Sequence, residues 1–218
     1  MSAKFKLFAL STAAAMMFAG AAQAGTMVME RVSNDAYYTL VTANAGQNEG
    51  AKNFISSMGD RGINFLGNPS MSVEAKTAEF KSLLNESFDM NTIARFAIGN
   101  NWKSATPAQQ GEYLKLFNHM IVKVYSKRFS DYKGQKFEVR SSRPEGKDTM
   151  VTSFIVPPDG PQVQVDWRVR NKGGSYKVVD IVVEGVSMSQ TQRADFASVI
   201  QRGGGGGIEP LLVHLRGQ

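Results

Sequence analysis

Between residues 106 and 129 apolar side chains return every three or four positions: Tyr113, Leu114, Phe117, Met120, Ile121, Val124, Tyr125 and Phe129. That recurrence predicts a helix with a broad apolar face. Thr106 stands at its N-cap, Pro107 at its first position and Gln109 where a capping box needs its reciprocal partner. Upstream, "MERVSNDAYYTLVTA" and "AKNFISSM" predict amphipathic helices within residues 29 to 66, separated by Gly and Asn. Ser72 with Glu74 opens another helix through Val73, Phe80, Leu83, Leu84 and Phe88. Asp89 caps a short one over "MNTIARFAIG", ended by Gly99.

Beyond Gly134 the period changes to two. Four strands are predicted at about 136–142, 149–156, 162–171 and 175–184, joined by "RPEGKD", "PPDGP" and "NKGGS", whose Gly, Pro, Asp and Asn suit hairpin turns. In the third strand Val163, Val165, Trp167 and Val169 share one face, and Gln162, Gln164, Asp166, Arg168 and Arg170 the other. The fourth places Val179, Ile181 and Val183 on one face, and Tyr176, Val178, Asp180, Val182 and Glu184 on the other. Matching the apolar faces leaves few registers, and the one that sets Arg168 opposite Asp180 pairs unlike charges. The glycine run at 203–207 reads as a flexible hinge before a short closing helix in "IEPLLVHLR".

Helices followed by an antiparallel meander and a returning helix make an α+β fold: helices packed on one face of a curved four-stranded sheet, a shape that tends to enclose a cavity. About 190 residues suffice for one sizeable core, so residues 25–218 are expected to form a single domain, helical over about 25–132 and sheet plus closing helices over about 133–218.

The N-terminus adds a location. Lys4 and Lys6 precede the apolar run "LFALSTAAAMMFAG", and Ala22-Gln23-Ala24 has the small-residue pattern of a cleavage site, so residues 1–24 read as a signal peptide and the mature protein as exported. The formal charge of +6 falls to +4 once that leader is removed. A mildly basic surface suits anionic headgroups or an acidic partner; no basic cluster with interleaved aromatics points to nucleic acid. With no cysteine in the chain, disulfides, thiolate metal sites and cysteine nucleophiles are excluded.

Candidate chemistry is sparse. Gly185-Val186-Ser187 begins like a nucleophile elbow, but the closing glycine is missing and the tail is too short for the partner acid and histidine. Ser187 with Gln190 fits a helix cap instead. His119 and His214 stand alone, without acid or histidine at metal-ligand spacing, and no metal site is expected. Asp166 and Asp180 could form a proton-transfer pair in a low-dielectric pocket, yet alternation sets them on the polar sheet face, where a solvated charged surface is the simpler reading. The residues alone reach an exported α+β domain with a large apolar interior, which could be plain core or a ligand pocket.

Two segments, 88–139 and 165–200, resemble the MlaC (toluene-tolerance) family. They carry Gly99, Trp102, Ser104, Thr106, Pro107 and Gln109, then Tyr125 and Tyr132, then Tyr176, Val178, Asp180 and "EGVS" at Glu184–Ser187. The resemblance implies a cone-shaped (NTF2-like) lipid carrier, not an enzyme and without a cofactor. Such a carrier shuttles diacyl phospholipid through the periplasm between an outer-membrane lipoprotein–porin complex and an inner-membrane ABC transporter bearing an MCE-domain ring. Its acyl chains would sit against Ile93, Phe96, Trp102, Phe117, Ile121, Val124, Tyr125, Val165, Trp167, Ile181, Val183, Val186 and Met188. A hopanoid or other lipid cargo is the alternative within the family; a cone-fold enzyme using Asp166 or Asp180 is the alternative outside it.

Overall fold

The computed structural model describes residues 34–218, with side chains from residue 46, so the predicted leader lies outside the described residues. Along the chain run α1 (Asn34–Gly67), α2 (Val73–Ser87), α3 (Met90–Ile98), α4 (Asn101–Ser104), α5 (Pro107–Ser126), a 3-10 turn (Phe129–Asp131), β1 (Lys136–Glu145), β2 (Asp148–Val156), β3 (Val163–Lys172), β4 (Ser175–Val183), β5 (Val186–Ser187), α6 (Met188–Arg202) and α7 (Glu209–Arg216). No described helix is long and apolar enough to cross a membrane.

Local capping chemistry sets most helix starts. The amide of Ala75 donates to Ser72 Oγ at 3.2 Å, that of Thr92 to Asp89 Oδ1 at 3.0 Å, and that of Gln109 to Thr106 Oγ1 at 3.3 Å. The Gln109 side chain answers by accepting from the Thr106 amide, completing the predicted capping box. The N-terminal helices differ from expectation. Gly46, Asn48 and Gly50 do not break the chain, and α1 runs unbroken for 34 residues. The glycines serve close packing: a Cβ on Gly50 would stand 2.1 Å from the Tyr176 hydroxyl, and one on Gly59 2.1 Å from the Phe137 ring. Burial against the sheet repays their low helix propensity.

The strands form one antiparallel sheet in the order β1-β2-β3-β4-β5, the meander expected, with β5 as a two-residue addition at the edge of β4. Glu184 and Gly185 turn the chain between them with φ of 48° and 81°, the left-handed pair that a two-residue hairpin requires. Arg168 pairs with Asp180, as charge complementarity predicted. One step further the register shifts: Val169 lies opposite Val178, and Val179 is the extra residue of a bulge. Val178 therefore joins the inner face and is fully buried, although strict alternation had set it on the polar face.

The apolar interior is divided in two. One cluster joins α1 and α2 to the sheet through Ala51, Ile55, Met58, Phe65, Leu83, Val151, Val169 and Val178. The other lies among the helices around Tyr113, Phe117, Phe196, Ile200, Leu211 and Leu212. Tyr113 is its hub, with ring centroids 5.9 Å from Phe117, 6.1 Å from Phe196 and 6.4 Å from Trp102, and with its hydroxyl donating to Ala94 O at 2.8 Å. Helix α7 is integral to this cluster, since Leu211 and Leu212 are wholly enclosed and Arg216 holds Glu112 through two bonds of 2.7 and 3.0 Å. The glycine run before it is tied back, with Gly203, Gly204 and Gly205 amides donating to carbonyls of α6.

Candidate functional site

The two clusters meet at Phe88, which packs against both. Beside it the α2–α3 junction is bonded to the sheet. The Asp89 amide donates to Val178 O at 2.9 Å, and Phe88 forms a parallel bridge with Val178. Lys172 pairs with the Asp89 carboxylate, and Lys177 donates to Glu86 O. Burial pushes the Asp89 carboxyl up, but hydrogen bonds from Lys172 and Thr92 outweigh it and hold the group down at about 2.

Helix α1 lies across the inner face of β1, β2 and β3, whereas α5 packs on α2, α3 and α7. Trp167 and Ile181, on the two central strands, consequently stay half-buried, as do Val163 and Val183. Phe137 and Phe88 meet the Trp167 indole edge-on at 6.0 and 6.5 Å. Across from them Phe80 of α2 contacts Phe129 at 5.5 Å and Tyr125 of α5 at 6.3 Å. Burial pushes the Tyr125 hydroxyl above the usual phenol range, with Arg128 opposing, while 42% of the residue's surface remains accessible. Phe80 thus ties the end of α5 and the 3-10 turn to α2, and Phe88 ties α2 to the sheet.

Two depressions have mixed linings. One of about 620 Å³ lies between α1 and α2, where Phe65 and Met71 join Asp60, Arg61, Asn64 and Glu79. The second, about 340 Å³, lies at the α2–α3 junction, where Phe88 and Met90 join Asp89, Asn118, Lys172 and Lys177. Neither is the enclosed apolar pocket expected from the fold pattern; the apolar faces close on one another instead.

The thirteen residues named from the sequence fall into separate places. Phe117 is buried in the helical cluster, and Ile93, Trp102 and Ile121 pack against it. Val165 is buried in the sheet, with Trp167 and Ile181 on the sheet cluster and Val183 half-buried near them. Val124 and Tyr125 are exposed on the last turns of α5. Phe96, Val186 and Met188 lie elsewhere: Phe96 is 40% exposed beneath the Arg193 guanidinium, Val186 is exposed on β5, and Met188 is half-buried at the start of α6. Phe80, Phe88, Phe129 and Phe137, not among those thirteen, are partly buried and pack on the sheet cluster beside Trp167 and Ile181. Phe80 and Phe88 sat in a predicted apolar stripe, but nothing local marked them as facing Trp167 and Tyr125.

The two aspartates correct the picture of a solvated sheet face. Asp166 is buried on the outer side, accepting from Thr152 Oγ1 at 2.5 Å and Gln164 Nε2 at 2.9 Å. Its neighbour Asp148 is also buried and holds Arg170 through bonds of 2.7 and 2.9 Å. Asp180 secures the start of α6, accepting from Ser187 Oγ at 2.7 Å and the Ser189 amide at 3.1 Å, while Ser187 Oγ accepts from the Gln190 amide. A carboxylate at a helix N-terminus is favoured by the dipole. Ser187 is therefore a cap with its hydroxyl committed, and both aspartates are engaged in hydrogen bonds. Among the described residues no group of acids and histidines has the arrangement of a metal site.

Comparison with known proteins gives the fold a context. A chain from Ralstonia solanacearum, solved as a phospholipid-binding protein in complex with a phospholipid, superposes with a TM-score of 0.66 at 24% identity, covering 76% of this chain and 94% of that one. It shares the fold. The intermembrane phospholipid transport system binding protein MlaC of Haemophilus influenzae is 26% identical over 124 residues, 55% of this chain and 56% of that protein. Toluene tolerance protein ttg2D of Pseudomonas putida is 26% identical over 103 residues, 47% of this chain and 48% of its own length. The chain thus spans about half the length of these curated relatives. The family model described as MlaC protein matches residues 58–217, which takes in the last ten residues of α1, every later element and the whole helical cluster, and the chain belongs to that family.

Proposed function

We propose that this protein is a periplasmic carrier that takes a phospholipid by its acyl chains and moves it between an outer-membrane lipoprotein–porin complex and an inner-membrane MCE-domain ABC transporter. The observation that supports the reading is the set of incompletely buried apolar side chains on β3, β4 and the end of α5, namely Trp167, Ile181, Val183, Val124 and Tyr125, in a chain of the MlaC family. Membership of the MlaC family supports the cargo class, as does the shared fold with a phospholipid-bound neighbour. The signal-peptide pattern of residues 1–24 supports the compartment.

Binding would be driven by area. Each methylene withdrawn from water contributes about 0.8 kcal/mol, so acyl chains can be held without a charged contact at their tails. With the described interior packed into two clusters, loading requires them to part at Phe88, the residue they share, and the headgroup then remains outside. The positions of Asp166 and Asp180 on the outer side of the sheet favour this reading over proton-transfer chemistry.

Native mass spectrometry of protein purified from its own envelope, followed by extraction and lipid analysis, tests the proposal. A bound phospholipid is the expected result, and its identity separates phospholipid from hopanoid cargo. Protein that carries no lipid and takes none from vesicles would overturn it.

A further inference from the structure

On the outside of the helical cluster two arginines lie over two aromatic rings. The Arg193 guanidinium of α6 sits 5.2 Å from the Phe96 centroid, and that of Arg95 on α3 sits 5.1 Å from the Trp102 centroid. Arg95 and Phe96 are adjacent near the end of α3, so the two stacked pairs start from neighbouring positions of that helix. Phe96 is 40% exposed there, and Lys103 on α4 is exposed beside Trp102. None of Arg95, Lys103 and Arg193 forms an ion pair with a described residue, whereas Arg61, Arg140, Arg143, Arg170 and Arg216 all do. Around Arg95 and Lys103 the local sequence supplies no acid, since from Met90 to Gly111 there is no Asp or Glu; on α6 the acid nearest Arg193 in sequence is Asp195, which forms no ion pair with it.

Stacking explains why these side chains hold their positions without a carboxylate. The ring face attracts the cation and leaves the N–H edges of the guanidinium pointing outward, unused. Planar donors of this kind match phosphate oxygens, and a half-exposed aromatic ring beneath them suits the boundary between headgroups and acyl chains.

We propose that the Arg95–Phe96–Trp102–Arg193 surface docks on an anionic phospholipid bilayer, with the guanidinium groups on lipid phosphates and the Phe96 ring at the headgroup boundary. This concerns the outer surface and goes beyond the carrier reading, which concerns the interior. The commitment to a lipid surface over an acidic protein rests on charge complementarity combined with the exposed ring. A juxtaposed cation near an anionic bilayer is worth about a fivefold change in partition, and the attraction falls off within a Debye length.

Flotation of the protein with vesicles tests this. Vesicles of phosphatidylcholine and phosphatidylglycerol in equal parts should carry the protein at low salt and release it as salt rises; phosphatidylcholine alone should not carry it. The double variant Arg95→Gln, Arg193→Gln should partition about thirtyfold less well, and Arg95→Lys with Arg193→Lys should retain most of the partition. Lipid co-purifying with the double variant, read by native mass spectrometry, should match that of the parent, which separates docking from carrying. Equal flotation with neutral and anionic vesicles, or flotation unchanged in the glutamine variant, would overturn the proposal. So would loss of cross-linking to an envelope protein with vesicle binding intact, which would make the surface a protein interface.

Discussion

Trp167 Nε1 donates to Ser153 Oγ at 2.8 Å across the β2–β3 ladder, and Ser153 Oγ donates in turn to Val165 O at 3.1 Å. The bond fixes the indole plane on the sheet cluster, where Phe88 and Phe137 meet it edge-on. Ser153 is wholly buried, so its replacement leaves a donor without its partner. Ser153→Ala should cost about 1 kcal/mol in urea unfolding, shift the Trp167 fluorescence and weaken lipid retention. Unchanged fluorescence would show that the hydroxyl does not orient the ring.

Tyr125→Glu separates folding from loading. The position is partly accessible but its hydroxyl is desolvated, so a carboxylate there should cost about 1–3 kcal/mol and leave the protein folded. An acyl chain laid against it would strip its remaining water, at a cost the bound state does not recover. Native mass spectrometry should therefore find folded protein with little lipid. Full loading would place Tyr125 outside the binding surface.

Gly59→Ala and Gly62→Ala, three residues apart on α1, should act in opposite directions. The first places a Cβ 2.1 Å from the Phe137 ring, and the overpacking of about 1–3 kcal/mol exceeds the helix propensity gained. The second meets nothing within 4 Å and should stabilise by up to about 1 kcal/mol. Chemical denaturation of the pair measures both signs against one reference.

Asp89 links pH to the joint between helices and sheet. Its carboxyl is depressed from 3.8 to about 2 in the folded chain, so the charged form stabilises the fold above the ordinary value. That contribution, on the order of 2 kcal/mol, is lost as pH falls from near 3.8 through about 2. Asp89→Asn should flatten the stability profile over that window and leave the slope at neutral pH unchanged. Denaturant midpoints across the acid range supply the measurement.

Leu212→Ala should destabilise by about 2–5 kcal/mol, because the side chain is fully enclosed in the helical cluster. A loss below about 1 kcal/mol would mean that α7, carried on its glycine run, is not part of the cooperative core.

Much of this architecture was legible along the chain because short-range chemistry wrote it. Thr106 and Gln109 satisfy backbone donors within one turn, so the start of α5 needs nothing from the rest of the fold. The meander and the pairing of Arg168 with Asp180 follow from hairpin lengths, alternation and charge, all properties of neighbouring segments. Tertiary packing decided the remainder. Gly50 and Gly59 read as interruptions until Tyr176 and Phe137, far along the chain, are seen to occupy the space that side chains there would fill. The bulge at Val179 turns Val178 inward, and no local pattern distinguishes that from regular alternation. The partial exposure of Trp167, Ile181 and Tyr125 belongs to this second class, because each is an apolar residue that could equally fill a core, and the placement of α1 and α2 on the sheet and of α5 on the helices decides how much of each is covered. Apolar surface is non-directional, so the sequence determined which faces are buried, and the relative placement of distant elements determined which of them remain free to take a ligand.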